Sequence, residues 1–186
     1  MTGSRFPWWA IVVASLAGIG FTATQIVERI TVLKDPAAAL LCDVNSIVSC
    51  STVLAAWQSS VIIGVPNAYI GAVMFAIFLA AGGAALLGTT LSRLFLRLLV
   101  GLVVFFALFA TWFMMQTAFV IGALCLWCTG IITAVAVVGA ALTHVLQSSA
   151  ASGSRGRLMD RSGLALMVWA GWWVVVLALV AIGLYS

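Results

Sequence analysis

The sequence predicts an all-α integral membrane protein: a four-helix transmembrane bundle plus a fifth transmembrane helix, with a loop outside the cytoplasm that carries a short lid helix. Three observations predict it. Of 186 residues, 65% are hydrophobic and only 6% charged, which in water would leave a very large apolar surface exposed. Five apolar segments, near residues 7–27, 68–88, 98–120, 126–146 and 164–184, are each long enough to cross a bilayer core of about 30 Å as a helix. Nothing in the chain resembles the alternating segments of about ten residues that build a membrane barrel, so the backbone polar groups must be satisfied within helices.

The first span follows Arg5 and ends near Val27. Its apolar run is longer than the core of a secretory signal, so it reads as a retained helix. Residues 28–67 form the longest polar stretch, with Cys42, Cys50 and the acids Glu28, Asp35 and Asp43, and this loop reads as the working surface. Within it Asp35-Pro36 marks a turn, and residues 37–41 can start a short helix. Trp57 to Val65 is apolar enough to lie on the membrane, with Trp57, Val61, Ile62 and Ile63 expected to rest on the helix ends as a lid, or to anchor the loop in the interface. Gly64-Val65-Pro66 breaks the chain before the second span.

Arg93 and Arg97 separate the second and third spans, and Arg155, Arg157 and Arg161 separate the fourth and fifth. With Arg5, these cations put the N-terminus in the cytoplasm and the cysteine loop outside. They also account for the net charge of +4 without a nucleic-acid surface, since no basic run is interleaved with aromatic residues. The Ser-, Gly- and Arg-rich segment 147–163 reads as a cytoplasmic linker, dividing residues 1–146, the functional bundle, from a looser fifth helix in 164–186. Gly82, Gly83 and Gly139 are expected to permit close helix packing.

All four cysteines fall on the outer side of this topology, where disulfide chemistry is favoured. Cys125-Leu126-Trp127-Cys128 opens the fourth span, where free backbone N–H groups favour a thiolate and a spacing of three puts both sulfurs on one face. Cys42 and Cys50 lie in the loop, at a spacing a turn or short helix can close, and such a loop can move a sulfur between partners. Two static disulfides bracing a membrane scaffold, a four-thiolate metal site, or packing cysteines that happen to be exposed are the competing readings. A zinc site would draw on histidine, but His144 lies about 24 Å along the helix from Cys128. No flavin, haem or nicotinamide signature is present, so an electron acceptor dissolved in the membrane, such as a quinone, fits two communicating pairs.

The run Leu41-Cys42-Asp43-Val44-Asn45-Ser46-Ile47-Val48-Ser49-Cys50-Ser51, then Pro66-Asn67-Ala68-Tyr69-Ile70-Gly71, then Cys125-Leu126-Trp127-Cys128 resembles the vitamin K epoxide reductase family over residues 7–146. The resemblance implies a four-helix bundle around a quinone, menaquinone or ubiquinone, akin to vitamin K. It implies that electrons enter at Cys42 from a thioredoxin-fold partner, pass to Cys50 and Cys125, and leave from Cys128, which faces the quinone. Bacterial members of the family look like disulfide-forming enzymes that reoxidise a thiol oxidase of the DsbA kind, here expected to be a separate protein. By the same likeness Asn67 binds a quinone carbonyl, although its place after Pro66 equally suits a helix cap. Ala56 and Ile132 stand where some members carry a hydroxyl and an aromatic residue.

Overall fold

A computed structural model describes residues 5–35, 38, 40–150 and 155–185, the side chains of 150 and 155–162 excepted. Among the described residues the α-helices are α1 (Phe6–Lys34), α2 (Cys50–Ala55), α3 (Asn67–Leu86), α4 (Arg93–Gln116), α5 (Leu126–Ala150) and α6 (Arg155–Tyr185). All but the short α2 contain a stretch long and apolar enough to cross a membrane. The all-α membrane bundle expected from the sequence is the fold of the chain.

Local chemistry sets the helix ends. Pro7 opens α1, where its missing N–H costs nothing, and Lys34 lies in the last turn, beside free carbonyls. Ser92 caps α4 by accepting the N–H of Phe95 at 3.2 Å. Beyond Gln116 the chain widens into a π-helical turn, Thr117–Ile121. Gly122 ends that turn at φ +73°, a left-handed conformation that side chains with a Cβ rarely adopt.

In the bundle α1 packs along α3 and α5, while α5 also packs against α4 and α6. Small residues let the backbones approach. A Cβ on Gly18 would lie 2.5 Å from the ring of Phe75, and one on Gly139 would lie 2.5 Å from the ring of Trp169. Gly82 likewise faces Ile11 closely, but Gly83 faces open space and has no packing role.

Hydrogen bonds tie the fifth spanning helix, α6, to the bundle. Indole N–H groups of Trp169, Trp172 and Trp173 donate to the hydroxyls of Thr143, Thr111 and Thr133, each at 3.0 Å. An indole in lipid needs an acceptor, and threonines on α4 and α5 supply it. The helices also extend into the expected linker, α5 to Ala150 and α6 from Arg155; residues 151–154 lie outside the described residues. So do Pro36, Ala37 and Ala39, where a turn and a short helix were expected.

The apolar interior has two centres. One fills the middle of the bundle around Phe75, Phe78, Val103, Val138 and Leu142. The other surrounds the four cysteines, with Val53, Leu54, Met114 and Ile132, and with Val176 and Val180 from α6.

Candidate active site

The cysteines converge because two connections are stitched together by their backbones. Leu124 donates its N–H to Ile47 O at 2.7 Å and accepts from Ser49 N–H at 3.1 Å, a single parallel bridge between Val48 and Leu124. The next residues on the two strands of this bridge bring the loop cysteine to the C-x-x-C. Cys50 begins α2, which Ser49 caps, and Cys125 directly precedes α5.

Cys42 and Cys50 form a disulfide with Cα atoms 5.6 Å apart, and Cys125 and Cys128 are free thiols. The Sγ atoms of Cys50 and Cys125 are 3.4 Å apart. All four residues are buried, Cys42 being 1% exposed, so sulfurs expected near the outside solution are in fact shielded by the loop and by the apolar cluster.

Asp43 organises the loop beside Cys42. Its carboxylate accepts from Leu40 N–H and Ser51 N–H, at 3.1 Å and 3.0 Å, and from the Ser49 hydroxyl at 3.1 Å. Burial works against its charge, but the hydrogen bonds from Ser51, Leu40 and Ser49 prevail and hold the carboxyl below its ordinary value. Thus Asp43 directs its charge to these donors rather than to the neighbouring Cys42 sulfur.

The Cys125 thiol is drawn below the usual thiol range, first by the hydrogen bond from Cys128, with burial opposing, and then by backbone N–H groups of Cys128 and Trp127 and by Gln25. A sulfur so stabilised as thiolate is a good leaving group.

Two residues of α1 absent from the sequence-based site meet the sulfurs. Gln25 Nε2 lies 3.0 Å from Cys128 Sγ and 3.7 Å from Cys125 Sγ. Glu28 Oε2 lies 3.4 Å from Cys42 Sγ. The available signal was a polar stripe, Thr22, Gln25, Glu28 and Arg29, repeating every three or four residues in an otherwise apolar helix.

Beside Cys128 a cavity of about 60 Å³, partly open at its mouth, lies between α1, α3, α4 and α5. Phe106, Phe109 and Phe113 give it aromatic walls, and Gln25, Asn67 and Cys128 supply polar groups. An apolar slot with a few convergent polar atoms and a thiol at one wall suits a flat, weakly polar ring such as a quinone. Asn67 does not cap α3. Its Nδ2 donates to Gln58 O at 2.7 Å, and its Oδ1 accepts from Val61 N–H at 3.3 Å, tying the loop to the helix.

The lid differs from its expected form. Leu54, Gln58 and Ser59 are buried and Leu54 and Ser59 roof the cavity, whereas Trp57, Ile62 and Ile63 point outward, Ile63 being 97% exposed. Facing outward, those apolar side chains suit the membrane interface, so this segment roofs the cavity with one face and turns an apolar face away from it.

A free dithiol in sulfur contact with a disulfide supports thiol–disulfide exchange, and within an apolar helical bundle this defines a membrane thiol oxidoreductase. Residues 9–145 match the Vitamin K epoxide reductase family, and the chain belongs to it. No curated protein matches the chain.

Proposed function

We propose that the protein forms disulfides outside the cytoplasm, carrying electrons from a thioredoxin-fold, DsbA-like partner to a membrane quinone. The reading rests on the 3.4 Å approach of Cys50 and Cys125, a sulfur contact through which the two couples can exchange. The arginines flanking the spans support an orientation with the active end outside, by the positive-inside rule.

The partner's thiolate attacks Cys42 and displaces Cys50. The Cys50 thiolate then attacks Cys125 of an oxidised Cys125–Cys128 pair, displacing Cys128. The partner's second thiolate closes the partner's own disulfide and releases Cys42, which then attacks Cys50, and Cys125 leaves as a thiolate, a departure its environment favours. A quinone in the cavity would supply the sink for two electrons and two protons. Asn67 and Gln25 would orient it, the phenylalanines would hold its ring and exclude water, and Cys128 would face it. Because Cys42 is buried in this state, the partner must lift the loop around it, residues 40–49, to reach it.

The test is the purified protein with a reduced thioredoxin-fold thiol oxidase and, in turn, menaquinone and ubiquinone, followed by quinol absorbance. Quinol formation coupled to partner oxidation is expected. Partner oxidation that proceeds equally without quinone, or with Cys128→Ser, would overturn the reading.

A further inference from the structure

Glu28 projects from α1 into the cysteine cluster, 7% exposed. One of its carboxylate oxygens and the Cys42 and Cys50 sulfurs lie within 4.8 Å of one another, and its Oε1 has no hydrogen-bond partner among the described residues. A charged carboxylate here loses more hydration than one sulfur contact returns. While Cys42 is in its disulfide its sulfur carries no hydrogen, so a hydrogen bond across 3.4 Å requires the proton to sit on Glu28. Once the disulfide opens, the thiol can hold that proton and donate it to the carboxylate. The position of one shared proton then follows the redox state of Cys42.

We propose that Glu28 is the acid and base for Cys42, protonating the sulfur as it leaves the partner and taking the proton back as Cys42 closes on Cys50. This rests on the relay proposed above. In the first event the partner's second thiolate attacks its own sulfur in the partner–Cys42 mixed disulfide. The partner disulfide forms, the bond to Cys42 breaks, and the electron pair left on Cys42 Sγ takes the Glu28 proton. In the second event the Cys42 thiol gives its proton to the Glu28 carboxylate while its sulfur attacks Cys50 in the Cys50–Cys125 mixed disulfide. The Cys42–Cys50 bond forms, the Cys50–Cys125 bond breaks, and the electron pair leaves on Cys125. Glu28 ends the cycle protonated, as it began.

The groups around Glu28 do not duplicate this role. Asp43, from the loop, acts on it through its charge, and Trp127 faces it from α5. Cys50 lies within the same cluster. Arg29, next on α1, directs its guanidinium to Leu54 O. Asp43 is engaged by backbone donors, and the Cys125 and Cys128 thiols face Gln25 instead.

The test uses the full-length protein carrying Cys50→Ser, which leaves Cys42 as a free thiol. Its alkylation is followed against pH by mass spectrometry of the Cys42 peptide. With Glu28 present the rate should rise in two steps, one for the carboxylate and one for the thiol; with Glu28→Gln added, one step should remain. In the otherwise unaltered chain, Glu28→Gln should slow partner oxidation by roughly 100-fold, the lower range for loss of a general acid–base, and Glu28→Asp should restore part of it. Superimposable alkylation curves with and without Glu28→Gln would overturn the proposal. If Glu28→Gln does not fold, Glu28→Asp must displace the lower step, and an undisplaced curve is equally fatal. Neither alkylation result depends on quinone or partner, so failure of the relay itself shows separately, as absent quinol formation by the unaltered protein.

Discussion

Gln25 on α1 reaches across the bundle to α5, its side-chain amide nitrogen 3.0 Å from Cys128 Sγ. An amide N–H donates better to a thiolate than to a disulfide sulfur, so this contact stabilises the reduced inner couple. In the relay proposed above, the residue would therefore make Cys125/Cys128 a stronger oxidant of the loop pair.

Gln25→Leu should lower the reduction potential of the inner couple. A hydrogen bond to a charged group is worth about 1.5 kcal/mol, equivalent to about 30 mV for two electrons. Titration in glutathione buffers with alkylation of Cys125 and Cys128 measures the shift. An unchanged potential would remove Gln25 from the redox chemistry.

Asn67→Ala should free the cavity roof, because one side chain holds both Gln58 O and Val61 N–H. The cost is about 1 kcal/mol for each lost hydrogen bond. Amide hydrogen exchange in residues 57–65 should quicken, and the quinone concentration needed for half-maximal turnover should rise. Faster exchange with unchanged quinone dependence would assign Asn67 to the roof alone.

Asp43 ties loop integrity to pH with a definite sign. Its carboxyl titrates below the ordinary value because of its hydrogen-bond donors, so the stabilisation is complete above the unfolded value, about 3.9, and is lost as pH falls through the lower folded value. Reduction of Cys42–Cys50 by a phosphine should accelerate in the unaltered protein as pH drops below about 4. Asp43→Asn should show fast reduction throughout with no acid-dependent rise. Parallel curves would show that the carboxylate does not hold the loop.

Gly18→Ala should destabilise the bundle by roughly 1–3 kcal/mol through overpacking. The new Cβ would meet the ring of Phe75 at 2.5 Å, and Phe75 is fully buried, with nowhere to move. Gly83→Ala, which opens onto free space, should cost nothing by the same thermal unfolding measurement in detergent. Equal midpoints for the two variants would contradict the close approach of α1 and α3.

The spans were legible because lipid leaves hydropathy and length to decide. The helix ends were less so: α1 runs on past Val27 to Lys34, since polar residues such as Glu28 and Arg29 end a hydropathy window without ending a helix. The C-x-x-C and the loop cysteines were readable as pairs. Their mutual contact depends on a two-bond bridge between Val48 and Leu124, which leaves no pattern in sequence. Gln25 and Glu28 were passed over because each, taken alone, reads as the polar margin of a span; only their helical spacing places them toward the sulfurs. For Trp57 and Ile63, hydrophobicity announced burial against something, and nothing in the residues said whether that was the bundle or the lipid.

The relay is tested most directly by leaving only the two sulfurs proposed to exchange. In the Cys42→Ser, Cys128→Ser double variant, Cys50 and Cys125 have no other partner, and from 3.4 Å apart they should join in a single disulfide under mild oxidation, detectable by mass spectrometry of the linked peptides. Persistence of both thiols, under conditions where the unaltered loop pair oxidises fully, would contradict electron transfer between Cys50 and Cys125.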